Sequence, residues 1–197
     1  KGEVLKGEEI LYILANYYLK QKKIKKNSTI VTNEVANHGL DISLKKKGIK
    51  LKRVKVGDKN ILKEILQNNY YFGGEPSGHF IFKDDQLIGD GMSTALRILT
   101  ILLKEKSSLS NLKKGLDLFE VVEINQKIDR ELFFKNQESL YKNLNAILKN
   151  RNIYYNFRPS GTEPLLRVNL QYDKRNIKVT DLKKLKYNIS KIISDAC

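Results

Sequence analysis

Cysteine occurs once in the 197 residues, as Cys197 at the C-terminal end, so no internal disulfide can form. A single thiol fits a reducing compartment. No apolar run approaches the ~20 residues that a membrane helix needs. The N-terminus, Lys1-Gly2-Glu3, lacks an initiator Met and an apolar leader segment, so the sequence reads as cytoplasmic and as a piece of a longer chain. There is no Walker-type loop, no Gly-x-Ser-x-Gly elbow, no pair of metal-binding histidines and no Asp-x-Asp cluster. Internal repeats and low-complexity tracts are also missing.

Acidic residues are outnumbered, 22 against 37 Lys and Arg, leaving a net charge of +15. Such a balance suits a nucleic-acid-binding module, which stands as the alternative from another functional class. The lysines are scattered, however, over 20–26, 45–55 and 183–186. No zinc spacing, RNA-recognition aromatic signature or basic-zipper pattern accompanies them. Positive charge also steers an anionic small substrate.

Apolar spacing predicts a helix over 8–20, with Ile10, Ile13, Leu14, Tyr17 and Tyr18 on one face. A β-branched strand follows at 28–32, then a helix over 37–47 closed by Gly48. A strand over 51–56 precedes a third helix, with Asp58 as its expected N-cap. Two strands, 70–72 and 79–82, flank a Gly-rich loop. A long helix over 93–104 is apolar nearly all round and is expected to be buried. Alternating strands and helices argue for an α/β domain over 1–110. Residues 111–197 read strand (118–124), helix (137–149), strand, turn, strand, helix (181–193). That order predicts a smaller α+β domain, an antiparallel sheet with helices on one face.

Two loops carry chemistry. Gly73-Gly74-Glu75-Pro76-Ser77-Gly78-His79 places a carboxylate and a hydroxyl two residues apart on a glycine-freed turn, suited to vicinal hydroxyl groups of a sugar. His79 can donate to a phosphate oxygen or move a proton. Arg158-Pro159-Ser160-Gly161-Thr162-Glu163-Pro164, with Arg167 beyond it, combines a small-residue turn, two hydroxyls and guanidinium forks that match phosphate oxygens. Pro, Ser and Gly also make ordinary turns, so residue types alone leave a plain hairpin open. Asn37-His38-Gly39, Gly57-Asp58-Lys59 and Gly89-Asp90-Gly91 stand at strand-to-helix junctions or helix starts, where both site residues and plain caps occur.

Both loops, in this order and with Val56-Gly57-Asp58 and Gly89-Asp90-Gly91 at their positions, resemble the α-D-phosphohexomutase superfamily over essentially the whole chain. The spacing is most similar to its bacterial hexosamine-phosphate branch; the glucose- and mannose-phosphate branches are the alternative. The resemblance implies four domains, of which this chain would supply the third and fourth. It implies interconversion of hexosamine 6-phosphate and 1-phosphate through a bisphosphate, toward cell-wall precursors. It further implies a phosphoserine in the first domain and Mg²⁺ on an Asp-rich loop in the second, so this chain alone is expected to be inactive. Its partners would be the hexosamine phosphate and the missing N-terminal domains, with no membrane. By the same resemblance Glu75, Ser77 and His79, with Asp58 and Lys59, would bind the substrate. Arg158, Ser160, Gly161, Thr162 and Arg167 would hold the phosphate that is not reacting. Two departures stand out: Lys59 where Arg is usual, and Pro76 where Gln, Met or Asn is expected.

Overall fold

The computed structural model describes residues 2–85, 87–149 and 151–197, and divides into two compact units, Lys1–Leu118 and Phe119–Cys197. The sequence puts the division at 110/111. Residues 111–118 also go with the first unit because Leu112, Leu116 and Leu118 pack against its core.

In the first unit the chain runs α1 (Gly7–Lys20), β1 (Thr29–Asn33), α2 (His38–Lys46), β2 (Lys50–Val54), α3 (Asp58–Asn68), β3 (Phe72–Gly74), β4 (Phe80–Phe82), α4 (Gly91–Glu105) and α5 (Leu109–Leu112). The sheet has the order β2-β1-β3-β4; β2 and β3 run parallel to β1, and β4 is antiparallel to β3. Successive strand residues point to opposite faces. Ile30 therefore joins the core built with α1, α2 and α4, whereas Val31 joins the smaller one built with Ile61 and Ile65 of α3. The result is a sheet between two helical layers. Parallel pairing also brings the carboxyl ends of β1, β2 and β3 to one edge, where ligands of such folds bind.

Two helix starts show how local chemistry sets the elements. The Asn37 side chain accepts from the Gly39 N–H at 2.9 Å and caps α2. The Asp90 carboxylate accepts from the Met92 and Ser93 N–H groups at 2.8 and 3.2 Å and caps α4. Asp58, in contrast, is not a cap. Gly57 holds that position at φ +123°, a backbone suited to glycine, and Asp58 is the first helical residue.

α4 departs from the expectation of burial. Only Thr94, Ile98 and Ile101 are buried, while Met92, Leu96, Leu99 and Leu103 are exposed. One stripe of the helix meets the core, and among the described residues the other stays exposed.

The second unit comprises β5 (Glu120–Lys127), α6 (Arg130–Leu148), β6 (Ile153–Pro159), β7 (Leu165–Tyr172) and α7 (Val179–Ala196). Its antiparallel sheet has the order β5-β7-β6. Leu166, Val168 and Leu170 of the central strand meet Phe133, Leu140 and Leu144 of α6 and Leu185, Ile189 and Ile193 of α7 in one core. α6 begins seven residues before the expected start because Asp129 accepts from the Leu132 N–H at 3.0 Å and caps it.

Candidate functional site

In the first unit the Gly-rich loop is the β3–β4 hairpin turn. The Glu75 N–H donates to the His79 carbonyl at 2.9 Å, and the Gly78 N–H to the Glu75 carbonyl at 3.0 Å. Gly78 stands at φ +98°, which lets the chain reverse between Ser77 and His79.

Glu75 is 6% exposed, and its two carboxylate oxygens face different neighbours. Oε1 accepts from Asn33 Nδ2 at 3.0 Å and from the Gly57 N–H at 2.9 Å. Oε2 accepts from the Ser77 hydroxyl at 3.3 Å and lies 3.9 Å from His79 Nδ1, while Ser77 Oγ lies 3.2 Å from that same nitrogen. One oxygen thus ties together β1, the start of α3 and the loop. The other forms a Glu-Ser-His cluster able to accept and donate hydrogen bonds to hydroxyl groups. Through Gly57, the carboxylate also sets where Asp58 and Lys59 emerge; the Asp58 carboxylate accepts from the Lys59 N–H at 2.7 Å.

Other segments crowd this loop. A Cβ on Gly7 would lie 2.5 Å from the Glu75 carbonyl oxygen, so the start of α1 packs backbone against backbone. A Cβ on Gly89 would meet His79 Cβ at 3.0 Å, which puts the Gly89-Asp90-Gly91 turn beside His79. Glu8 is buried, and its carboxylate accepts from the Asn37 N–H at 3.0 Å. Arg53 donates to the carbonyls of Asn33, Glu34 and Ala36 at 3.3, 3.3 and 2.7 Å and pairs with Asp41. It thereby ties down the end of β1, from which Asn33 reaches Glu75, and the segment that follows it. His38, beside Arg53, is held down to about 4 by burial and by that guanidinium, against the opposite pull of Asp41.

In the second unit the loop 160–164 joins β6 to β7. Arg158 and Arg167 are direct partners in that ladder, and Asn125 of β5 pairs with Arg167 from the other side. The Ser160 N–H donates to the Leu165 carbonyl at 2.8 Å, and the Glu163 N–H reaches Ser160 Oγ at 3.3 Å. Among the described residues the N–H groups of Gly161 and Thr162 have no hydrogen-bond partner. Arg167 Nη2 bonds Glu163 at 2.9 Å and lies 3.5 Å from Ser160 Oγ, and its buried Nε has no partner. Two guanidinium groups, two hydroxyls and two unpaired N–H groups against one carboxylate make an anion-accepting arrangement.

The structure gathers Glu75, Ser77 and His79 in one cluster, ties Gly57, and with it Asp58 and Lys59, to that cluster, and groups Arg158, Ser160, Gly161, Thr162 and Arg167 in the other. Sequence reading missed Glu8, Asn33 and Arg53. Asn33 carried one usable signal, its place at the carboxyl end of a parallel strand. The others are joined to their loops only by long-range contacts.

Among the described residues no group of three His, Cys, Asp or Glu could hold a metal ion. The acids at 84 and 85 are engaged otherwise: Asp84 by Tyr71, Lys23 and Arg97, Asp85 by Ser93 and Arg97. Burial alone would raise the Asp84 carboxyl, but Tyr71, Arg97 and Lys23 outweigh it and hold it below its ordinary value. No helix among the described residues is long and apolar enough to cross a membrane.

Residues 6–119 match the family described as phosphoglucomutase/phosphomannomutase, alpha/beta/alpha domain III. The phosphoglucosamine mutase of Clostridium botulinum (strain 657 / Type Ba4) is 36% identical over 199 aligned positions, covering 99% of this chain and 43% of the relative. That of Ruminiclostridium cellulolyticum is 37% identical, covering 89% and 40%. The chain therefore spans less than half the length of these relatives. Among solved structures, an N-acetylglucosamine-phosphate mutase in its substrate complex superposes with a TM-score of 0.78 at 18% identity, over 97% of this chain and 44% of that one. The Aspergillus fumigatus N-acetylphosphoglucosamine mutase in complex with GlcNAc-6P and magnesium gives 0.79 at 14%, over 97% and 47%. At such identities the likeness concerns the fold.

Proposed function

The chain belongs to the phosphoglucomutase/phosphomannomutase family, and from that premise we propose that it supplies the sugar- and phosphate-binding half of a phosphoglucosamine mutase. The full enzyme would interconvert glucosamine 6-phosphate and glucosamine 1-phosphate. The first unit contributes sugar recognition: Glu75 Oε2, Ser77 and His79 bind ring hydroxyl groups, with Asp58 and Lys59 at the adjoining helix start. The second contributes the phosphate clamp: Arg158, Arg167, Ser160 and Thr162 grip the oxyanion, and Gly161 leaves room for it beside the backbone. A Cβ at Gly161 would meet nothing within 4 Å, so that side of the loop is open. Clamping a phosphate that does not react converts binding energy into orientation.

The observation that carries this reading is the direct cross-strand pairing of Arg158 with Arg167 around a Ser-Gly-Thr turn. The relatives' mutase names, together with their greater length, support the rest. Mg²⁺ and the phosphoryl-carrying serine belong to the N-terminal domains that the full enzyme would add; the A. fumigatus structure contains magnesium with its sugar phosphate. Such an enzyme would work in the cytoplasm.

Titrating the 197-residue chain with glucosamine 6-phosphate and glucose 6-phosphate, followed by amide NMR, tests the proposal. Shifts at Gly161 and Thr162 that disappear in Arg158→Ala are expected, with tighter binding of the amino sugar. Equal binding of both sugars would move the assignment to a neutral-sugar mutase. Binding indifferent to Arg158 would end it.

A further inference from the structure

Arg130 sits one residue into α6, 30 positions before the phosphate-type loop, yet it touches the loop's backbone. Its Nη2 lies 3.4, 3.3 and 3.1 Å from the carbonyl oxygens of Ser160, Gly161 and Glu163. The β5–β7 ladder delivers it there. Lys127 pairs with Leu165, the Ile128 N–H extends the pairing to the Pro164 carbonyl at 3.0 Å, and Asp129 then turns the chain into α6. Asp129 caps that helix, and Arg130 has no carboxylate partner among the described residues.

We infer that Arg130 is a positioning residue of the anion loop, acting from the loop's carbonyl side. A guanidinium that collects three carbonyls turns those oxygens toward itself. Carbonyl oxygens are the groups that would repel a bound phosphate. Holding them on Arg130 lowers the cost of ordering the loop and leaves the Gly161 and Thr162 N–H groups to the anion. The charge adds to this effect, because among the described residues only Arg167 of the three arginines Arg130, Arg158 and Arg167 pairs with a carboxylate, that of Glu163. A phosphate offsets that excess without touching Arg130.

The inference rests on the phosphate reading of the loop, and its test separates the two. The intact 197-residue chain is titrated with inorganic phosphate and with glucosamine 6-phosphate, as wild type, Arg130→Met, Arg130→Lys and Arg158→Ala. Methionine keeps an unbranched stem but no donor or charge; lysine keeps the charge and a donor. The expected result is about tenfold weaker binding in Arg130→Met, the scale of one lost charge-assisted hydrogen bond, with substantial recovery in Arg130→Lys. Amide hydrogen exchange at Ser160 and Glu163, the loop N–H groups that are hydrogen-bonded in the free protein, should quicken in Arg130→Met while its urea midpoint stays put. Wild-type affinity and exchange in Arg130→Met overturn the inference, as does loss that lysine does not recover. Failure of the wild-type chain to bind either anion would instead overturn the phosphate reading, and the exchange rates would still report whether Arg130 orders the loop.

Discussion

Arg158 and Arg167 are direct cross-strand partners, two guanidinium groups placed where a sheet gains most from opposite charges. Glu163 answers one of them at 2.9 Å. Arg158 has no carboxylate partner among the described residues. A like-charged pair held in one register is an arrangement that an anion stabilises.

That arrangement sets stability against binding. Arg158→Ala should leave the phosphate-free chain as stable as the wild type or more so, by up to about 0.5 kcal/mol, since it removes repulsion. In the wild type, phosphate at a hundred times its dissociation constant should add about 2.7 kcal/mol, and Arg158→Ala should forfeit that gain. Urea unfolding with and without phosphate measures both. Equal stabilisation of the two proteins would exclude Arg158 from the anion site.

Glu75 joins structure and recognition in one carboxylate. Glu75→Gln keeps an oxygen to accept from the Asn33 side chain and the Gly57 N–H but removes its charge, and turns the oxygen beside Ser77 into an amide donor. Loss of charge-assisted bonds at a buried group should cost on the order of 1.5–3 kcal/mol. Chemical shifts at Asn33 and Gly57 should move with it. A variant as stable as the wild type, with those shifts unchanged, would mean that Oε1 holds nothing in place.

His38 makes the first unit sensitive to mild acid. Its folded value of about 4 lies below the ordinary 6.5, so the unfolded chain takes up a proton that the folded one refuses. The stability is fully present above pH 6.5, is lost as the pH falls from 6.5 to about 4, and levels off below that. Reduced for solvent screening of the partly exposed ring, the full loss should be roughly 2–3 kcal/mol. Urea midpoints between pH 7 and 4.5 should fall in the wild type and much less in His38→Gln. Parallel pH profiles would show that other groups govern the acid response.

Much of the architecture was legible because it depends on neighbours in sequence. The stripe Leu182, Leu185, Ile189 and Ile192 located α7, although Ile193 turned out to be fully buried and Ile192 partly so. Two elements were not legible from local pattern. α4 is apolar nearly all round and still shows Met92, Leu96, Leu99 and Leu103 to solvent, because composition does not reveal which faces find a neighbour. Asp58 looked like a cap but yielded to Gly57, whose N–H is held by a carboxylate 18 residues away. Sequence identified the two loops by residue type. It offered no means of finding Arg130 or Arg53, whose partners are main-chain carbonyls that every residue possesses.

By itself the sequence determined the order and kind of elements, the two glycine-containing loops and their chemical character. Periodicity, turn residues and caps act over a few positions, so they can be read from the chain directly. Tertiary structure alone decided that Asn33 and Gly57 share Glu75 Oε1, that Arg158 stands opposite Arg167, and that Arg130 gathers the carbonyls behind the anion loop. Each of those follows from register and packing between segments far apart in sequence, where a shift of one residue would turn the side chain to the other face.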